Sequence, residues 1–121
     1  MVNNALPLMK GISDCSYEEF QYALAVCVTA PFYLTKLFMP HFTEGGAIVN
    51  ISSSRDRMSQ AQTESYTAAK GGISALTHAL MIESFREGEG QFCLTGMDRY
   101  GLYGLRRPGR ITSSHSQMSF L

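Results

Sequence analysis

Apolar residues recur every three or four positions in two stretches of the chain, a pattern that predicts amphipathic helices. The first stretch runs from about Tyr17 to Met39, and Ser16 with Glu19 has the spacing of a capping box at its start. Pro31 is expected to kink this helix, because it lacks an N–H group, and Pro40 to end it. The predicted buried stripe consists of Phe20, Leu24, Cys27, Pro31, Leu34 and Phe38.

A second helix is predicted from about Glu64 to Ser84. Its predicted buried stripe consists of Ala69, Ile73, Leu76 and Leu80. Between the helices, Gly45 and Gly46 precede the apolar run AIVNI at Ala47 to Ile51, which is typical of a strand buried on both faces. Val2 to Ala5 is interpreted as the end of another strand. The order strand, helix, strand, helix predicts an α/β fold with a parallel sheet.

The periodic pattern ends after Ser84. Residues Phe85 to Leu121 mix glycine, arginine and serine with single hydrophobic residues, and they show neither the strand period of about 2 nor the helix period of about 3.6. A chain of 121 residues is long enough for one small domain at most. We therefore expect a partial domain over residues 1–84 and an irregular, disordered tail over residues 85–121.

Composition narrows the classes of partner. The formal net charge is zero and the sequence pI is about 6.8, so no electrostatic feature indicates nucleic acid or an anionic membrane. The longest mostly apolar run, Tyr22 to Leu34, is shorter than the roughly 20 residues of a membrane span, and we interpret it as a buried helix. Cys15, Cys27 and Cys93 have neither metal-ligand nor CxxC spacing, which favours a cytoplasmic protein without a metal site.

Candidate chemistry lies between the predicted strand and the second helix. Tyr66 and Lys70 are four residues apart, so they lie on one helix face, one turn from each other. A fixed cation favours the phenolate form of a tyrosine, which suits Tyr66 as a general acid and base. Ser53 follows the strand, where its hydroxyl can hold a substrate oxygen. Each feature alone also arises by chance, and their combination is what indicates proton transfer at a carbonyl or alcohol.

The strings GGAIVNISS, YTAAKGG and VNNA resemble the strand-five serine motif, the YxxxK helix and the NNAG motif of the short-chain dehydrogenases/reductases. The resemblance covers about residues 1–84 and implies part of a Rossmann-like, doubly wound parallel sheet. It also implies an oxidoreductase that transfers hydride between NAD or NADP and a small-molecule carbonyl or alcohol, in a homo-oligomer.

The same resemblance assigns roles to individual residues. It implies that Tyr66 is the proton donor and acceptor, that Ser53 orients the substrate oxygen, and that Lys70 promotes ionisation of the tyrosine. It further implies that Lys70 holds the nicotinamide ribose. Cofactor binding is expected at Asn3, Ala5, Tyr66 and Lys70.

Departures from the family pattern accompany this resemblance. Cys27 in CVTAPF stands where the family usually has an asparagine, in a context like NVTAPF, that completes a proton relay partly through its main-chain carbonyl. Leu6 stands where the NNAG motif has glycine. The family's glycine-rich dinucleotide loop lies upstream of NNAG, so we expect a truncated member that keeps the catalytic residues but is inactive by itself. The alternative is a non-catalytic fragment that docks on an intact homologue through its two helices.

The region after Ser84 is interpreted as a shifted reading frame. Synonymous codons for Gln91 to Tyr100 can be chosen that read VNSVSPGWIDT in another frame, a string similar to the family's continuation.

The charge run after Ser53 and the histidine in the second helix each allow two interpretations. Arg55, Asp56 and Arg57 follow the candidate serine and either contact a polar substrate or form a solvated loop, which is the more common role of a charge run. His78 lies within the second predicted helix and is interpreted as structural rather than as a ligand.

Overall fold

The computed structural model describes residues 1–42, 46–86, 92–98 and 101–104, with side chains up to residue 82. Within these ranges the strands are β1 (Val2–Asn3), β2 (Gly46–Ile51), β3 (Phe92–Asp98) and β4 (Gly101–Gly104). The α-helices are α1 (Tyr17–Leu24), α2 (Ala30–Phe38) and α3 (Glu64–Arg86). A π-helical segment, Ala25–Thr29, joins α1 to α2.

The strands form one sheet in the order β1-β2-β3-β4. β1 pairs with β2 in parallel, with Val2 opposite Val49, and β2 pairs with β3 in parallel, with Ile48 opposite Leu94. β4 runs antiparallel to β3. The predicted α/β order with parallel pairing is confirmed, and the bounds of β2 and α3 agree with the sequence pattern to within about two residues.

The region after Ser84 differs from its expectation where the structure describes it. Helix α3 continues to Arg86, and Phe92–Asp98 forms a strand against β2. Local periodicity did not reveal this strand because its partner is β2, a neighbour more than forty residues earlier in the chain. Residues 87–91, 99–100 and 105–121 lie outside the described residues, so the disordered tail and the shifted reading frame stay predictions.

The first predicted helix is present but is not uniform. The capping box at its start is confirmed, since the Ser16 side chain accepts from the Glu19 N–H and the Glu19 carboxylate accepts from the Ser16 N–H. Pro31 cannot donate the N–H that an α-helix would direct to the Cys27 carbonyl. Just before it, the N–H of Ala30 donates to the carbonyl of Ala25, five residues back. The irregularity expected at Pro31 therefore takes the form of a π segment that precedes it.

The predicted buried stripe of this helix is wrong at its carboxyl half. Leu34 and Phe38 were expected to be buried, but they are 36% and 44% exposed. The buried positions are instead four residues apart, at Ala23, Cys27, Pro31 and Thr35. The wider turn of the π segment changes the phase of the helix, so positions counted with ordinary helical spacing leave the buried face.

Most of the surface of this helix faces outward. The helical stretch Tyr17–His41 is long and apolar enough to cross a membrane by length and composition, and it is the one helix of the described ranges that meets this test. Only 22% of its most apolar window is buried. The interpretation of Tyr22 to Leu34 as a buried helix is therefore wrong for all but the narrow stripe that packs on α3.

Helix α3 supplies both apolar clusters of the described core. Its residues Ala69 and Ile73 pack with Cys27, and Leu76 packs against this group. Farther along, Met81 packs on Ile48 of β2, with Leu80 at the edge. The predicted stripe of α3 is confirmed, and it fixes the helix against the first helix on one side and the sheet on the other.

Candidate active site

The carboxyl ends of β1 and β2 lie at the same edge of the sheet, because the two strands are parallel. Asn4 and Ala5 follow β1 there, and Ser52 and Ser53 follow β2. Ser53 has extended backbone angles, with φ −158° and ψ 158°, and its Oγ accepts a hydrogen bond of 3.3 Å from the N–H of Arg55. The structure thus places Ser53 just past the carboxyl end of β2, as predicted, at the start of the short 3-10 turn Ser54–Asp56.

Strand alternation separates the two serines. Ile48, Asn50 and Ser52 are buried, whereas the residues between them are only half-buried. Ser52 continues this alternation, and its Oγ contacts the Lys70 carbonyl and Ser74 Oγ of α3, whereas Ser53 is only half-buried. Ser52 is therefore engaged in the core, while Ser53 is available at the edge.

Tyr66 and Lys70 lie one turn apart on α3, as predicted. Lys70 is 3% exposed, and its Nζ donates a hydrogen bond of 2.7 Å to the carbonyl of Ile51, the last residue of β2. The same nitrogen lies 5.8 Å from the centroid of the Tyr66 ring. The hydrogen bond of Lys70 ties the helix carrying Tyr66 to the strand that leads into Ser53.

The Lys70 ammonium also fits a cofactor hydroxyl. An ammonium group has three N–H donors, and the described hydrogen bond of this one is to the Ile51 carbonyl. A donor remains for a further acceptor at the carboxyl edge. The donor set therefore fits the ribose contact that the resemblance implies for Lys70.

Cys27 lies beside this cation. Its side chain is 3% exposed, and burial raises the pKa of the Cys27 thiol, while the charge of Lys70 and its hydrogen bond act in the opposite direction. The carbonyl of Cys27 also lacks its usual α-helical donor, because residue 31 is a proline. The position of the family's asparagine is thus adjacent to Lys70, although a thiol replaces the amide.

A cavity of about 210 Å³ opens between β1, β2 and the first helix. Ala5 lines it together with Asn4, Cys27 and Ile51. Asn3 also reaches this cavity, but its Nδ2 donates a hydrogen bond of 2.7 Å to the Oδ1 of Asn50. The structure accounts for the Asn3 amide as a link between β1 and β2, and its contact with a cofactor stays a prediction, as does that of Ala5.

The loop after β1 is attached to the start of α3. The N–H of Lys10 donates to Ser65 Oγ at 2.8 Å, and that hydroxyl lies 2.9 Å from the carbonyl of Leu8. Gly11 packs so closely on Gln62 that a Cβ at Gly11 would lie 2.8 Å from the Gln62 Cα. These contacts fix the first turn of α3, which carries Tyr66.

The exposure of Asp56 differs from what the sequence predicts. The expectation of a solvated charge run holds for Arg57, whose side chain is 67% exposed, but not for Asp56, whose side chain is 4% exposed. The Asp56 Oδ2 accepts a hydrogen bond of 2.6 Å from Ser74 Oγ, and Ser74 Oγ lies 2.6 Å from Ser52 Oγ. Two features of the sequence could have indicated the contact between Ser52, Asp56 and Ser74. Ser52 continues the buried alternation of β2, and Ser74 lies one turn after Lys70.

Comparison with known proteins shows the family of the chain. A family model described as short chain dehydrogenase matches residues 1–88. An uncharacterized oxidoreductase of Thermotoga maritima is 36% identical over 89 residues, which cover 71% of this chain and 35% of that protein. An L-fucose dehydrogenase of Mus musculus is 34% identical over 98 residues, which cover 78% and 36%. The chain thus spans about a third of the length of the curated relatives it matches.

Solved structures show the same fold. The structure of an apo SCOR enzyme from Clostridium thermocellum is 46% identical with a TM-score of 0.65, covering 68% of this chain and 35% of that one. A metagenomic short-chain oxidoreductase in complex with NADP has a TM-score of 0.70 at 26% identity, covering 80% of this chain and 44% of that one. The predicted Rossmann-like α/β fold is confirmed.

Proposed function

Because the chain belongs to the short chain dehydrogenase family, we propose that its protein is an NAD(P)-dependent oxidoreductase that interconverts an alcohol and a carbonyl in a small molecule. The observation that carries the proposal is the position of Lys70, whose ammonium is bonded to the end of β2 and lies one helical turn from Tyr66. That contact joins the helix that carries Tyr66 to the strand that precedes Ser53, which supports a shared site for the phenol and the serine.

Each side chain has a role that its position supports. Ser53 donates a hydrogen bond to the substrate oxygen from the turn after β2. Tyr66 gives or takes the proton on that oxygen, and the buried Lys70 ammonium stabilises the phenolate that results. The family cofactor, NAD or NADP, supplies or accepts the hydride when bound. On this chain, Lys70 and Ala5 would hold its nicotinamide half.

The substrate class and the cellular location are inferred from a named relative and from the cysteines. The L-fucose dehydrogenase is named for a polyol-like sugar, which supports a hydroxylated or carbonyl-bearing small molecule as substrate. The free thiols of Cys15 and Cys27 support a reducing, cytoplasmic location.

Substituting Tyr66→Phe in the full-length protein tests this function. Oxidation and reduction of a panel of secondary alcohols and ketones are followed with both cofactors. We expect the variant to lose turnover by on the order of 10²–10⁴-fold, since it removes the transferable proton but leaves the ring. Tyr17→Phe is the matched control, because Tyr17 is 73% exposed on the first helix, and it should retain full activity. Equal turnover in the two variants would contradict the proposal.

A second candidate function is docking on another copy of the family fold, and the exposed face of the first helix favours it. The exposed apolar residues of the first helix include Tyr17, Tyr22, Phe32, Tyr33, Leu37 and Phe38. Exposed apolar residues in this number on one helix are typical of an interface. A dimer or larger homo-oligomer would cover it.

Charge introduced on that face separates docking from catalysis. We expect Tyr33→Asp with Leu37→Asp to lower the molar mass measured by light scattering toward the monomer, because an interface core does not tolerate buried carboxylates. Lys36→Glu, on the same helix, should leave the assembly intact. An unchanged mass in the double variant would exclude this face as the interface.

A further inference from the structure

We propose that Asp56 is a positioning residue, which holds the turn bearing Ser53 against the segment of α3 that carries Lys70. The inference rests on the oxidoreductase function proposed above, because Ser53 must be placed relative to Tyr66. Asp56 is a buried carboxylate, and it is not one of the residues proposed to act on the substrate, which are Ser53, Tyr66 and Lys70.

The contacts of Asp56 join the turn to the helix. Its Oδ2 accepts from Ser74 Oγ at 2.6 Å and lies 3.3 Å from Ser52 Oγ. The one hydroxyl proton of Ser52 is shared between this oxygen, the main-chain carbonyl of Lys70 at 3.1 Å and Ser74 Oγ at 2.6 Å. One carboxylate oxygen thus connects the residue before Ser53 to the turn of α3 that follows Lys70.

The backbone of the same turn continues the connection to Ser53. The N–H of Asp56 donates to the carbonyl of Ser53 at 3.0 Å, and the N–H of Arg57 donates to that of Ser54 at 3.2 Å. Ser53 therefore lies between two anchored points, Ser52 and Asp56. Its position relative to Lys70 depends on the carboxylate that joins them.

Charge and burial make this connection stronger than an ordinary loop contact. The Asp56 side chain is 4% exposed, and a buried carboxylate is retained only where hydrogen bonds replace its water. Hydrogen bonds to an ionised acceptor are roughly twice as strong as neutral ones. Its other oxygen, Oδ1, makes no hydrogen bond within the described ranges and lies 3.7 Å from Arg57 Nε. The restraint therefore comes from Oδ2 and the two serines.

Comparing Asp56→Ala, Asp56→Asn and Ser74→Ala in the full-length protein tests the proposal. We expect Asp56→Ala to lower kcat by up to about 100-fold, because small displacements of a positioning group have effects of that size. The Kd for NADPH should stay unchanged, since Lys70 is untouched. Asp56→Asn should recover part of kcat, because its amide oxygen still accepts from Ser74. Ser54→Ala is the control in the same turn, because its hydroxyl makes no hydrogen bond within the described ranges, and it should keep full kcat.

Amide hydrogen exchange of the Asp56–Met58 segment supplies a readout that does not depend on activity. Exchange should accelerate in Asp56→Ala and in Ser74→Ala, and the effects of the two substitutions combined should sum to less than the two single effects, since both remove the hydrogen bond between Asp56 and Ser74. A lower melting temperature with unchanged kcat in Asp56→Ala would show a structural role only and would overturn the proposal. Full turnover in Tyr66→Phe would instead overturn the proposed function, whatever the exchange result.

Discussion

At the scale of single residues, Cys27 shows how burial and charge compete at the candidate site. Burial raises the pKa of the Cys27 thiol, and the nearby Lys70 opposes this rise less strongly. Since the thiolate is the reactive form, we expect alkylation of Cys27 by iodoacetamide to lag well behind that of the half-buried Cys15 in the folded protein. Peptide mass spectrometry after timed quenching measures both rates.

Unfolding the protein in urea is the control for this difference, because it removes the burial and should bring the two rates together. The same shift affects stability. A thiol whose folded pKa lies above its unfolded value of about 9.0 stabilises the fold below that pH, and the contribution is lost as pH rises through the folded pKa. Equal rates for both cysteines in the folded state would contradict the assigned environment.

Residues of the candidate site differ in how far local sequence determines their position. The spacing of Tyr66 and Lys70 places them on one helix face in any helix, so sequence alone was sufficient. The position of Ser53 was also predictable, because the residue comes directly after an apolar strand. Asp56 did not, because whether a charged residue in a loop is solvated depends on Ser74, eighteen residues away, which the loop sequence does not specify.

At the scale of the elements, the contact between α3 and the π segment depends on one glycine of an adjacent pair. A Cβ at Gly72 would lie 2.8 Å from Val28 Cγ2, whereas one at Gly71 would meet nothing within 4 Å. Valine has little rotamer freedom in a helix, so it cannot easily move aside. We therefore expect Gly72→Ala to lower the free energy of unfolding by about 1–3 kcal/mol.

Gly71→Ala is the matched control, and it should raise the free energy of unfolding by about 0.5–1 kcal/mol through helix propensity alone. Urea denaturation of both variants measures the difference, and Val28→Ala should recover most of the loss in the Gly72→Ala background. A stabilising Gly72→Ala would show that the two helices are farther apart. The sequence GG cannot distinguish these positions, because only the neighbouring helix makes them different.

At the scale of the whole molecule, the sheet contains one strand, β3, that the local sequence pattern did not predict. The buried run of β2 and the two helices were recognisable because each carries its own periodicity. β3 was not, since the described strand gains its order from pairing along the full length of β2, from Gly46 to Ile51. Likewise, the exposed apolar face of the first helix has the composition of a core helix, and only the position of its neighbours shows that it is uncovered.

The 121-residue polypeptide made on its own is expected not to turn over, although Ser53, Tyr66 and Lys70 are all present. Proton transfer typically contributes only about 10²–10⁴-fold to an enzyme's acceleration, and holding the reacting partners in register contributes at least as much. The polypeptide spans about a third of the length of its curated relatives, and the cofactor contacts proposed above for Lys70 and Ala5 are to the nicotinamide half alone. Titrating NADH and NADPH against the polypeptide by fluorescence, with a full-length relative as positive control, should show no saturable binding. Saturable binding accompanied by turnover that disappears in Tyr66→Phe would show instead that these residues suffice, because the cofactor would then be held without the contacts to its adenine half.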